Sequence, residues 1–267
     1  MKKVLFASTA LVMTAGVAAA EINVTGGASL GLMYNGTTTI VINEIDFNIV
    51  GSGETDGGVA FGASVDLDSA HQNSVTTQAA FGDPEVFISY NGLKLTVGNI
   101  DAAMDQGGLA DIGYNGVGVD NIAEIDAQGS HDVRVDYAIA DINVAVSVDS
   151  SNSDWSIGGN ASFDAFTIAL GFGETGGADQ MRATLGYTAG AIGGKVFFAD
   201  NSVTDAMGVE VSYTSGDVTV TGVYTDNGAA DAFGIDVAYD IGGATVQGGV
   251  ADVNGTTMAD LGISFDF

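Results

Sequence analysis

Residues 257–267 read TMADLGISFDF. Every second side chain is apolar or nearly so: Thr257, Ala259, Leu261, Ile263, Phe265 and Phe267. Between them stand Met258, Asp260, Gly262, Ser264 and Asp266. A two-residue period is that of a β-strand with one apolar and one polar face. A last strand that keeps its period to Phe267 must be pinned by a neighbour, because free termini fray in water.

The same alternation recurs along the chain. Val59, Phe61, Ala63, Val65 and Leu67 form one apolar row; Val133, Val135, Tyr137 and Ile139 form another. Ile142, Val144, Val146 and Val148, then Phe233, Ile235, Val237 and Tyr239, repeat it. Turn-formers punctuate the rows, among them Asn91-Gly92, Ser215-Gly216-Asp217, Gly242-Gly243 and Asn254-Gly255. The pattern predicts strands at 22–34, 39–51, 58–68, 85–90, 93–99, 131–139, 142–149, 155–163, 166–174, 180–188, 193–200, 206–214, 217–226, 231–240, 244–252 and 257–267. That makes about 16 strands, an even number suited to an antiparallel meander.

The chain opens MKKVLFASTALVMTAGVAAA, with basic Lys2 and Lys3, an apolar stretch and a small-residue end. Residues 1–20 are expected to be a secretory signal peptide, leaving 21–267 as one β-barrel domain. No run of eighteen apolar residues follows, so no spanning helix is expected. The chain has no cysteine and one proline, Pro84, with 40 glycines spread along it. Beyond residue 20 the only lysines and arginines are Lys94, Arg134, Arg182 and Lys195, against 34 acidic residues. Such a balance excludes nucleic acid as a partner held through its phosphates. Hydrophobic residues still make up 46% of the chain, too many for an acidic disordered protein.

Phe163, Tyr187, Tyr213, Tyr239 and Phe265 end alternate strands at a spacing of about one hairpin, and Tyr90 and Tyr137 hold equivalent places. Aromatics at one end of every second strand form a ring, as in the girdles of outer-membrane barrels. A soluble sandwich or calcium-binding solenoid would also alternate, but the tandem G-G-x-G-x-D nonapeptides of the solenoid are missing. The fold class expected is therefore all-β, a transmembrane antiparallel β-barrel. In lipid a closed sheet pairs every backbone polar group and leaves no edge. Its apolar face turns to lipid and its polar face to a water-filled lumen, wide enough at sixteen strands for an aqueous channel. Asp66, Asp136, Glu210, Asp236 and Asp266 fall on the polar phase, as do all four basic residues.

One connection is long. Residues 100–130 read IDAAMDQGGLADIGYNGVGVDNIAEIDAQGS and follow the fifth predicted strand, which makes them the third external loop. A loop of this length is usually functional. Four stretches, GASLGLMYNG (27–36), FNIVGSGETDGGVAFGASV (47–65), EVFISYNGLKLTVGN (85–99) and GGVADVNGTTMADLGISFDF (248–267), resemble the trimeric general porins of alphaproteobacteria, the Rhodobacter type. The resemblance implies a homotrimer in the cell outer membrane and a third loop that folds into the barrel. It implies that the loop's acids face basic residues on the wall. Asp101, Asp105, Asp111, Asp120, Glu124 and Asp126 are the candidate constriction residues. Lys94, Arg134, Arg182 and Lys195 are the candidate basic wall.

The expected function is a passive diffusion channel for small hydrophilic solutes and ions, cation-preferring because carboxylates line it. Three rivals stand beside it. An enzyme would draw on His71 or His131, but no G-x-S-x-G context appears and no catalytic residue is assigned. A non-conducting structural or adhesive barrel would favour longer external loops. A secreted acidic β-protein would bind Ca²⁺ through the loop's oxygens, though no EF-hand spacing supports a dedicated metal site. No cofactor is expected.

Overall fold

A computed structural model describes residues 21–72, 75–125 and 129–267 of the chain. The predicted signal peptide and Asp126 lie outside the described residues. The strands are β1 (Glu21–Tyr34), β2 (Thr39–Glu54), β3 (Ala60–Gln72), β4 (Val75–Tyr90), β5 (Leu93–Ile100), β6 (His131–Ile139), β7 (Ile142–Val148) and β8 (Trp155–Phe163). They continue as β9 (Phe166–Thr175), β10 (Ala178–Ala189), β11 (Ile192–Asp200), β12 (Asp205–Ser215), β13 (Val218–Asp226), β14 (Asp231–Asp240), β15 (Thr245–Val253) and β16 (Thr256–Asp266). Each pairs antiparallel with its sequence neighbours, and β16 pairs with β1 to close the barrel. The terminal phenylalanine is pinned as well: Phe267 N–H donates to Gly26 C=O at 2.8 Å and accepts at its own carbonyl from Gly26 N–H at 3.0 Å.

The two faces of the sheet differ as the alternation requires. On β12, Met207, Val209, Val211 and Tyr213 are exposed on one face, while Ala206 and Glu210 on the other are buried. The exposed apolar rows run round the ring, from Leu30 and Leu32 on β1 to Leu261 on β16. A closed, fully paired sheet with its large apolar side chains outward is built for hydrocarbon. The aromatic ring is in place: Tyr90, Tyr137, Phe163, Tyr187, Tyr213, Tyr239 and Phe265 are all exposed on the apolar face. Phe166 ties two of its members together, with ring centroids 5.9 Å from Phe163 and 4.9 Å from Tyr187.

One hairpin departs from the sequence reading. β3 runs to Gln72 and β4 starts at Val75, where strands were expected to end at 68 and begin at 85. Gly82-Asp83-Pro84 reads as a break, and Asp83 does adopt a positive φ of 46°. Pairing nevertheless continues through it as a bulge, with Ser64 opposite Glu85 and Asp66 opposite Gly82. A bulge inserts a residue, so it destroys the alternation without ending the strand.

Candidate functional site: the lumen and the segment that crosses it

The segment between β5 and β6 leaves the rim and lies against the polar face of the wall. Ala103 N–H donates to Ser147 Oγ on β7 at 2.7 Å, and Met104 N–H to Ser156 Oγ on β8 at 3.2 Å. Gln106 Oε1 accepts from Asn160 Nδ2 at 2.7 Å. Ala110 N–H donates to Glu210 Oε2 on β12 at 2.8 Å, and Asn115 N–H to Asp260 Oδ2 on β16 at 2.8 Å. Tyr114 OH reaches Ser29 Oγ on β1 at 3.2 Å and Ile42 C=O on β2 at 3.4 Å. From Ala103 to Tyr114 the chain can stretch no more than about 38 Å. The path along the wall from β7 to β1 through β16 exceeds about 48 Å. The segment therefore runs along the inside of the ring, where the path is shorter, and the polar face is the lumen.

Its return leg is held too. Val119 C=O accepts from Thr225 Oγ1, Ile122 C=O from Asn227 Nδ2 at 3.0 Å, and Ile125 C=O from Asn201 Nδ2 at 2.9 Å. Leu109, Ile112, Val117, Val119 and Ala123 pack with Phe197, Ala199, Ala206, Val223, Ala232 and Ala251 of the wall into one apolar core inside the barrel. The only described helical turn, Asp120–Ile122, sits on that core.

The predicted site residues differ in their surroundings. The Asp101 carbonyl accepts from Arg134 Nη1 at 3.2 Å. Asp105 pairs with Arg182, whose guanidinium also lies 5.6 Å from the Phe197 ring centroid. Asp111 is exposed to the lumen; partial desolvation, then the charges of Asp120 and Asp260, push its carboxyl up from 3.8 to about 6. Asp120 is only 7% exposed, and burial followed by the charge of Glu124 raises it too. Glu124 is half-buried beside it.

The four basic residues do not gather into one cluster. Lys94 on β5 lies over the Phe87 ring, 4.9 Å from its centroid. Arg134 on β6 forks onto Asp136 at 2.8–3.1 Å. Lys195 on β11 pairs with Glu210 at 3.0 Å. Arg134, Arg182 and Lys195 thus serve the loop's attachments. Much of the anchorage comes from residues not singled out in the sequence, among them Ser147, Ser156, Tyr114, Thr225 and Asp260. His131 is buried at the loop's root with Nδ1 2.7 Å from Ser147 Oγ, so it belongs to that anchorage. The His71 side chain lies outside the described residues. Among the described residues no group of three or more His, Cys, Asp or Glu side chains is placed to hold a metal ion.

The loop leaves part of the inner face of β2 to β4 open. There Glu44, Asp46 and Asp68 are exposed and Asp66 and Glu85 half-buried. Asp66 accepts from Asn48 Nδ2 at 2.6 Å. Lys94 is the one lysine or arginine in residues 39–100.

A closed sixteen-strand antiparallel barrel is the fold shared with the proteins this chain matches. Residues 7–264 match the family described as Gram-negative porin. The chain belongs to that family. It is 29% identical over 182 residues to a porin of Fuscovulum blasticum, a stretch that covers 57% of this chain and 63% of that porin's length. Among solved structures it is similar to a triply substituted Rhodopseudomonas blastica porin, with 27% identity and a TM-score of 0.81 over 92% of this chain and 100% of the other. A form of the same porin with a lysine, an arginine, an aspartate and a glutamate changed to alanine superposes equally well, at 26% identity, a TM-score of 0.81 and the same coverage. Family and fold together make this porin an outer-membrane diffusion channel.

Proposed function

We propose that this porin is a passive, cation-preferring channel for small hydrophilic solutes, narrowed by residues 101–125. The observation that carries the preference is the acidity of both banks of the remaining lumen. The open wall presents Glu44, Asp46, Asp66, Asp68 and Glu85. The loop opposite presents Asp101, Asp105 and Asp111 to solvent. Lys94 and Arg134, the nearest bases in sequence, are engaged with Phe87 and with Asp136. Carboxylates facing a narrow water channel between low-dielectric walls raise the local cation concentration and repel anions. No binding step is needed: a solute that fits and is not repelled diffuses through.

Export by a cleaved segment 1–20 and assembly as a homotrimer complete the proposal, supported by the likeness to the Rhodobacter-type porins. The test is a reversal potential across a planar bilayer holding the refolded mature protein under a KCl gradient. A cation-signed potential, with conductance steps in threes, is expected. An anion-signed potential would sink the charge reading, and a folded barrel without conductance would make the inner segment a plug.

A further inference from the structure

Seven glycines on the inner face of the wall stand where the loop comes close to it. A β-carbon at Gly158 on β8 would overlap the Ala103 carbonyl oxygen and stand 2.8 Å from its carbon. At Gly171 on β9 it would overlap the Met104 carbonyl oxygen and stand 2.8 Å from Met104 Cβ. At Gly208 on β12 it would overlap Leu109 Cδ1. At Gly234 on β14 it would meet Ile112 Cδ1 at 2.7 Å, and at Gly249 on β15 the Gly113 Cα at 2.8 Å. Gly262 on β16 and Gly31 on β1 give way to the ring of Tyr114, each with a ring carbon at 2.5 Å. The loop residues rise in order, 103 to 114, as the strands pass from β8 to β1.

We infer that these inner-face glycines are a seat that sets how far the loop stands from the wall, and so sets the aperture of the channel. The inference rests on reading residues 101–125 as the constriction. None of the seven has a left-handed φ, so the backbone does not ask for glycine. What asks for it is the close approach of the loop, through its backbone at Gly158, Gly171 and Gly249 and through its side chains at the other four. An added methyl at Gly171 needs a normal separation of about 3.5 Å from the Met104 oxygen, so the loop must shift by about 1 Å toward the lumen. The shift narrows the water path by displacing the loop, not by occupying it.

The test pairs a structure with a conductance. Gly158→Ala with Gly171→Ala is refolded, its structure solved, and its single-channel current compared with that of the parent and of Gly51→Ala, a position with nothing within 4 Å of the added carbon. The expected result is displacement of the 103–104 backbone toward the lumen and a current lowered by about a third in the double variant alone. A seat unmoved in the folded variant overturns the inference. A displaced loop with unchanged current overturns the constriction reading and, with it, the aperture role. Should the double variant fail to refold, Gly208→Ala meets only side-chain atoms, Leu109 Cδ1 and Thr225 Cγ2 among them. It should lower the current more weakly, and Leu109→Ala added to it should restore the current; a loss that truncation of Leu109 does not relieve speaks against a seat.

Discussion

Two sectors of the same wall use the same residue type for different ends. On the covered sector, Glu210 and Asp260 are buried and accept hydrogen bonds from loop backbone at Ala110 and Asn115, and Asp260 Oδ1 also accepts from Gly249 N–H at 2.8 Å. On the open sector, Asp46, Asp66 and Asp68 sit at similar inner-face positions with water before them. A carboxylate that accepts backbone N–H groups in a buried place is part of the scaffold, since its loss strands those donors. A carboxylate facing water adds little to stability and much to the local field. Position relative to the loop, not residue type, decides which carboxylates hold the channel and which select for it.

The sharpest way to break that contrast is Asp260→Ala. Two N–H donors lose a charged acceptor at a site 8% exposed, and the barrel should lose about 3 kcal/mol. Asp66→Asn should cost only a few tenths. Urea unfolding from vesicles, followed through Trp155, the only tryptophan, measures both. Equal costs would erase the distinction between the sectors. A smaller loss, about 2 kcal/mol, is expected for Arg182→Met, because Arg182 is buried while its partner Asp105 is exposed and can be rehydrated. The open sector is then tested alone: changing Asp46, Asp66 and Asp68 to Asn and Glu85 to Gln should lower the potassium-to-chloride permeability ratio about threefold at little cost in stability. An unchanged ratio would move the selecting charges onto the loop.

How far the sequence discloses these sectors follows from what alternation encodes. Period-two rows such as Val144–Val148 and Leu261–Phe265 state which side chains face lipid, so the strand number and the closure through Phe267 are legible. The bulge at Gly82–Pro84 is not, because one extra residue inverts the phase on either side of it. The polar phase carries a single bit, inward, and does not distinguish a seat from open water. Gly158, Gly171 and Gly208 therefore read as ordinary lumen positions, and Ser147, Ser156 and Asp260 as lumen polar groups. Only the path of the loop, a matter of long-range contact, assigns them. The same limit scattered the basic residues: Arg134, Arg182 and Lys195 share the inward phase but stand on β6, β10 and β11.

The smallest effect expected is a pH dependence seated on the loop itself. Asp111 is raised from 3.8 to about 6, first by desolvation and then by the negative charges of Asp120 and Asp260. It is ionised at pH 7.5 and takes up a proton as the pH falls through 6. Since the folded loop binds that proton more tightly than an unfolded chain does, acidification favours the seated loop, and the gain is complete only below 3.8. Asp120, raised by burial and by Glu124, moves in the same direction. Cation preference should therefore weaken between pH 7.5 and pH 5. Reversal potentials at the two pH values measure the step, and Asp111→Asn should flatten it while lowering the preference at pH 7.5 to the acid value. A step that survives Asp111→Asn would place the titrating charge elsewhere in the lumen.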